Sequence, residues 1–280
     1  MYTLIAQNKY GQELELTHND AYVIESIEGL DPPDAVINTT RNANADGSIF
    51  NSSYVDNRQI TITLAINGPA EANRINLYRY FKAKYPVTLY YKNDTRDVYI
   101  TGYVQNIQIE FFNKKQIAQI IILCPEPFFS GTDSNITDFA NVESLFEFPF
   151  SIETPVAFSQ ILPLQKKNII NHGDVETGAI FRLKAIGNAT NPMVFNDERL
   201  ELIGFNLSMS AGDELVINTN KKHKSAKLTH NGVTTSVINK ISMNSTWMQL
   251  LPGDNIIGIY DSTLQSLTCI VEFEDKYEGV

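Results

Sequence analysis

The chain has 280 residues, 43% of them apolar and 19% charged, which is the range of ordinary globular domains and excludes disorder as the main state. Its net charge is −10, divided as −3 up to residue 132 and −7 beyond. Neither half offers the positive field that a phosphate backbone requires, so nucleic acid is not the natural partner. A chain of this length buries roughly 75% of its unfolded surface, so it needs no disulfide or structural metal, and two ordinary domains fit it.

Residues 1–7, Met-Tyr-Thr-Leu-Ile-Ala-Gln, lack the basic flank and apolar core of a signal peptide. No apolar run has the length of a membrane span. The expectation is a protein made and kept in a cytoplasm, without membrane insertion. Cys124 and Cys269 sit far apart inside apolar β-like runs and read as free core thiols.

Residues 59–66 alternate polar and apolar without a break, the pattern of a strand with one buried face. Asn67-Gly68-Pro69 stops it, and Pro69 suits the first position of a helix. The spacing predicts that helix over 70–84, with Leu77, Tyr78, Phe81 and Tyr85 on one face and Glu71, Arg74, Arg79 and Lys82 in water. Pro86 ends it. Strands follow at 87–91, 97–112 and 116–123, the last two forming a hairpin about Asn113-Lys114-Lys115, with Ile120 to Leu123 expected to be buried on both faces.

Residues 130–135 are small and polar, and the domain boundary is placed there, giving domains 1–132 and 133–280. Beyond it come short strands at 145–152, 178–186, 193–195, 200–209, 213–218, 225–229, 247–250, 255–260 and 267–273, with Asn231-Gly232 as a two-residue hairpin turn. The fold class is mainly β: a β-sandwich-like first domain with one helix, then a sandwich or jelly roll.

Chemistry-bearing constellations are absent from the sequence. His18, His172, His223 and His230 have no partner at metal-ligand spacing. Residues 42–47, Asn-Ala-Asn-Ala-Asp-Gly, imitate the first half of a calcium loop, but the twelfth position is Ser53 and not the bidentate glutamate; a structured polar loop is the reading. No serine or cysteine lies in a glycine-flanked elbow with a histidine base. The basic run Lys221, Lys222, His223, Lys224 and Lys227 reads as a solvated loop. No cofactor or metal is expected, and no catalytic residue. Trp247, the only tryptophan, reads as core packing, with the stacking of a sugar ring as the alternative that makes it a carbohydrate-binding candidate.

Taken in order, several short motifs carry a resemblance. Ile27-Glu28-Gly29-Leu30-Asp31-Pro32-Pro33 precedes Asn42-Ala43-Asn44-Ala45-Asp46-Gly47-Ser48-Ile49-Phe50. Arg58 with Ile60-Thr61-Ile62 follows, then Arg74, Leu77, Tyr78 and Phe81-Lys82. Asp97-Val98-Tyr99-Ile100-Thr101-Gly102-Tyr103-Val104 and Cys124-Pro125-Glu126-Pro127-Phe128 complete the series. The first 130 residues thereby resemble the distal tail protein family of long-tailed phages. Residues 171–178 and the stretch from Trp247 to Pro252-Gly253-Asp254-Asn255 look, more loosely, like that family's C-terminal jelly roll.

The resemblance implies a homo-hexameric ring at the tail tip of a virion, assembled in a bacterial cytoplasm. It lies between the tail tube protein and a tail-associated spike or lysin protein, and its second domain binds receptor-binding proteins or, in some relatives, cell-surface glycan. The polar stretch 38–53 is the kind of segment that reaches a neighbour, and Arg41, Asp46 and Arg58, charged and in or beside it, are the inter-subunit candidates. The readings left open are a structural hub, a glycan-binding module centred on Trp247, and, against the motif evidence, a cell-wall hydrolase. Infectious phage, prophage and phage-tail-like bacteriocin are equally compatible.

Overall fold

The computed structural model describes residues 2–42, 44, 46–111, 113, 115–144, 159–163, 166–263 and 266–280. They form two compact units, Met1–Thr132 with Lys276–Val280, and Asp133–Asp275. Residues 276–280, placed with the second half by the sequence reading, return to the first unit. The class is mainly β with one α-helix among the described residues.

In the first unit the strands are β1 (Thr3–Asn8), β2 (Glu13–Glu15), β3 (Tyr22–Glu28), β4 (Ala35–Arg41), β5 (Ser48–Val55) and β6 (Arg58–Ile66), followed by α1 (Ala70–Tyr80), β7 (Pro86–Lys92), β8 (Asp97–Ile109) and β9 (Gln116–Cys124). β10 (Phe129–Asp138) begins here. All neighbours are antiparallel, in the path β3-β6-β9-β8-β7-β1-β2. β8 makes the path turn. Residues 97–103 pair with β7, residues 103–109 pair with β9, and the register shifts between Val104 and Asn106. A bulge of this kind bends a strand and sharpens its twist, which lets one strand serve two sheet segments around a common core.

That core takes Leu4 and Ala6 from β1, Ile60, Ile62 and Leu64 from β6, Leu89 from β7, Val98 and Ile100 from β8, and Ile120 and Ile122 from β9. β9 buries one face fully while Ile121 and Leu123 are only partly covered, so the expected two-sided burial is not met. α1 adds Leu77, with Phe81 just beyond it. The helix is shorter than its pattern, because Lys84 N–H donates to Val104 O and Val104 N–H to Tyr85 O, drawing the chain into β8 before Pro86 is reached. The chain passes from the first unit to the second between Thr132 and Asp133, within the stretch 130–135, which is strand and not loop. Ser130 and Gly131 pair with Tyr99 and Val98 as the start of β10.

In the second unit the strands are β11 (Ala140–Ser144), β12 (Ser159–Pro163), β13 (Lys166–Asn171), β14 (Ile180–Ala185), β15 (Ala189–Thr190), β16 (Met193–Asn196), β17 (Glu201–Gly204) and β18 (Ser208–Met209). Then come β19 (Glu214–Asn218), β20 (Ser225–His230), β21 (Val233–Ser236), β22 (Gly253–Tyr260) and β23 (Leu267–Tyr277). Two sheets, β13-β22-β16-β17 and β23-β14-β19-β20-β21, make a β-sandwich. Ile169, Val194, Ile257 and Ile259 of the one share a core with Phe181, Leu183, Ile217 and Val271 of the other. Asn231 and Gly232, both at positive φ, join β20 to β21 as the two-residue turn their sequence announces. The strand read at 145–152 lies outside the described residues, and 247–250 contributes only a bridge from Leu250 to Thr177.

Both cysteines are buried and free. Burial pushes the Cys124 thiol up to about 12, and it raises that of Cys269 as well. Since the thiolate is the reactive form, a thiol reagent at pH 8 is expected to label neither residue in the native chain and both in denaturant; rapid native labelling of Cys124 would contradict the core placement.

Candidate assembly surfaces

The described residues contain no group of three or more His, Cys, Asp or Glu side chains placed to hold a metal ion. His230 pairs instead with the buried Asp213, Nδ1 to Oδ1 at 2.8 Å. Burial works to raise the Asp213 pKa, but the Ser210 N–H and His230 outweigh it and hold the carboxyl below its ordinary range. Trp247 is partly buried against the core of the second unit, and the Lys224 ammonium lies 5.8 Å from its ring centroid. Lys221 of the same basic run pairs with Glu176.

The surface that stands out is the arm formed by β4 and β5. These strands pair only with each other, and nearly every residue in them is exposed. Residues 38–41 and 48–53, read from sequence as parts of a polar loop, are therefore strand in a β-hairpin, and the calcium-loop imitation at 42–47 falls between them in the chain. The register places Ile37 opposite Ser53 and Thr39 opposite Phe50 on one face, with Val36 opposite Tyr54 and Thr40 opposite Ile49 on the other, across a bulge between Asn38 and Thr39. Both faces are thus apolar and wet: Ile37 is 63% and Phe50 61% exposed. Asn38 to Ser52 and Asn51 to Thr40 side-chain bonds at 3.1 and 2.7 Å brace the strands.

Arg58, expected from its charge to lie at an interface, is only 4% exposed and does something else. Its guanidinium pins the root of the arm. Nη1 donates to Gly29 O and Asp31 O, both at 2.7 Å. Nε donates to Pro127 O and Nη2 to Glu278 O, each at 2.5 Å. The ring of Phe129 lies 4.8 Å beneath. Four carbonyls from three separate segments converge on one rigid fork of donors, a geometry that lysine cannot reproduce. Burial lowers the Arg58 pKa from its ordinary value, and the nearby Asp31 and Glu278 oppose that shift. Gly29 completes the root: its φ is +87°, and a Cβ there would stand 2.1 Å from Gln59 O. Arg41 ends β4 and Asp46 lies in the turn, both exposed. The three charged candidates are therefore divided, two at the tip and one inside the root.

Two family descriptions match the chain in tandem: a phage tail protein RIFT-related domain over residues 9–124, and the C-terminal domain of a siphovirus-type tail component over residues 172–277. The chain belongs to the siphovirus-type tail component family, the distal tail or Dit proteins of phages. Among solved structures it is similar to the SPP1 Dit protein, described as a paradigm of the hub adsorption apparatus in phages infecting Gram-positive bacteria. That match has 13% identity, 99% coverage of each chain and a TM-score of 0.69. It is also similar to a chain of the phage P2 baseplate in its activated conformation with Ca, at 10% identity, 100% coverage of each chain and a TM-score of 0.55. A comparison with curated proteins finds no match. No helix among the described residues is long and apolar enough to cross a membrane.

Proposed function

We propose that this chain is a structural, non-catalytic hub of a phage tail tip. Six copies close into a ring that joins the tail tube protein to a tail-associated spike or lysin protein, and the second unit carries receptor-binding proteins outward. The tandem family match and the likeness to the SPP1 Dit protein and to a baseplate chain support the hub role.

The observation that carries the ring is the arm. A two-stranded hairpin is marginal by itself in water, and exposed strand edges with apolar side chains are a template for association. This arm has both, on a root held by a buried arginine. A neighbouring copy that covers it removes Ile37, Phe50 and Tyr54 from water, and a head-to-tail contact repeated with closing rotation makes a ring. Arg41 and Asp46, at the tip, are then the charged residues that meet the neighbour.

Light scattering on the purified full chain tests the proposal. The expected mass is six times that of the chain at micromolar concentration. A strict monomer over the whole accessible concentration range would remove the ring and leave only the family assignment.

A further inference from the structure

Residues 72–93 carry Arg74, Arg79, Lys82, Lys84 and Lys92 and no carboxylate. In a chain of net charge −10 such a stretch is the exception. Two of its cations are held within the unit, Arg74 by Glu71 and Lys92 by Asp97. The fold adds a further cation to the other three. Lys9, from the turn after β1, brings its Nζ to 3.6 Å from the Tyr85 ring centroid, where the Lys82 ammonium stands at 5.0 Å. Asn8, beside it in the chain, donates from Nδ2 to Arg79 O at 3.4 Å, so the last turn of α1 meets the same turn. Lys9, Arg79, Lys82 and Lys84 are all exposed.

No carboxylate among the described residues pairs with any of these four. Glu13, the acidic residue nearest to Lys9 in the chain, accepts instead from Gln7 Nε2 at 3.0 Å. Cations in the last turn of a helix complement its dipole, and that accounts for Arg79. It does not account for Lys9, which arrives from another turn. Nor does it account for Lys84, which holds φ at +70°. A side chain in that left-handed region costs about 1–2 kcal/mol, and glycine or asparagine is the usual occupant.

The residue types select the anion. Two ammoniums around one tyrosine ring repel each other, and an anion between them relieves the repulsion. Three of the four cations are lysines, compact point charges on flexible stems that can close around a tetrahedral phosphate. A planar carboxylate is held best by the arginine fork. Tyr10, 73% exposed, has its ring 4.7 Å from the Lys9 ammonium, and Tyr85 is half-buried. Each ring gives an apolar face beside the charge, the surface on which a sugar ring stacks. A nucleic acid strand, densely charged along its length, calls for a longer basic track than four cations supply.

We propose that Lys9, Lys82 and Lys84, with Tyr10 and Tyr85 beside them, form a site for a phosphate-bearing polysaccharide. The phosphate sits among the ammoniums and the sugar packs on the tyrosine rings. The site lies wholly in the first unit, so it stands whether or not the ring closes.

The test titrates the full chain by calorimetry with a phosphomannan, and with four probes that each change one feature: neutral mannan, polygalacturonate, oligothymidylate and inorganic phosphate. Two variants are compared with it, Lys9→Gln/Lys82→Gln/Lys84→Asn, which puts asparagine where φ is positive, and Tyr10→Ala. Thermal melts and light scattering check that fold and mass are unchanged. The natural chain is expected to bind phosphomannan, about tenfold more weakly when sodium chloride rises from roughly 50 to 200 mM. The triple variant is expected to lose about tenfold, three exposed charge contacts together. Should it melt early, Lys82→Gln alone serves, with a loss of about twofold. Tyr10→Ala is expected to lose about threefold on phosphomannan and nothing on inorganic phosphate. Absence of binding, equal binding of mannan, or an unchanged affinity in the lysine variants overturns the site. Polygalacturonate bound as tightly as phosphomannan overturns the choice of phosphate and points to any acidic chain. Oligothymidylate bound more tightly overturns it in favour of nucleic acid. Inorganic phosphate bound as tightly as the polymer, with Tyr10→Ala silent, overturns the sugar contact and leaves an ion site only.

Discussion

Replacing Arg58 by alanine is expected to destabilise the first unit by about 3 kcal/mol, through carbonyls that lose their donor. Arg58 is 4% exposed, and its four acceptors, Gly29 O, Asp31 O, Pro127 O and Glu278 O, are main-chain atoms that cannot turn away to find new donors. Each carbonyl left buried without a partner costs about 1–3 kcal/mol, reduced where water enters the vacated space. Lysine at this position is expected to recover little, since a single ammonium cannot span acceptors from three segments. Urea unfolding measures the loss. The same variant is expected to weaken ring assembly, because the carbonyls of Gly29 and Asp31 lie just before β4 and Arg58 itself just after β5. A loss under about 1 kcal/mol with an unchanged ring would mean that water replaces the guanidinium, and that Arg58 does not position the arm.

This role could not be read from the sequence. An arginine beside a polar stretch looks like a surface charge, and only the return of residues 276–280 to the first unit, where Val280 N–H also donates to Leu30 O at 3.2 Å, shows what it is buried against. What was legible had a local cause. The alternation of β6 carries its own period, α1 its spacing of Leu77 and Phe81, and the turn between β20 and β21 the need for positive φ at Asn231 and Gly232. The arm failed that same test for a physical reason. Its apolar residues fall on both faces, and a bulge between Asn38 and Thr39 breaks the count, so no period-2 pattern survives and the Asn, Ser and Thr between them suggest a loop. A hairpin that packs into neither core has no inward face to advertise. Trp247 was legible only as an alternative, since one sequence position does not reveal that Lys224 lies over the ring.

The arm also gives the sharpest separation of fold from assembly. The double variant Ile37→Asp/Phe50→Asp is expected to keep a cooperative melt, lowered only by the assembly free energy that the natural chain gains from its ring, and yet to remain monomeric. Ile37 and Phe50 point to the same face of the hairpin and make no part of either core, so their loss leaves the folded unit within the roughly 0.5 kcal/mol typical of surface substitutions. In a ring the same side chains leave water. Each contributes about 1.5–3 kcal/mol by burial, and a carboxylate put in its place would have to be desolvated without a partner, which adds several kcal/mol. A loss of about 4 kcal/mol per contact already raises a dissociation constant roughly a thousandfold, and a closed ring forfeits every contact at once. Light scattering for mass and a thermal melt on the same preparation are sufficient. A monomer whose melt stays cooperative assigns the arm to assembly. A ring of full mass would show that the apolar faces of the arm do not make the contact between copies.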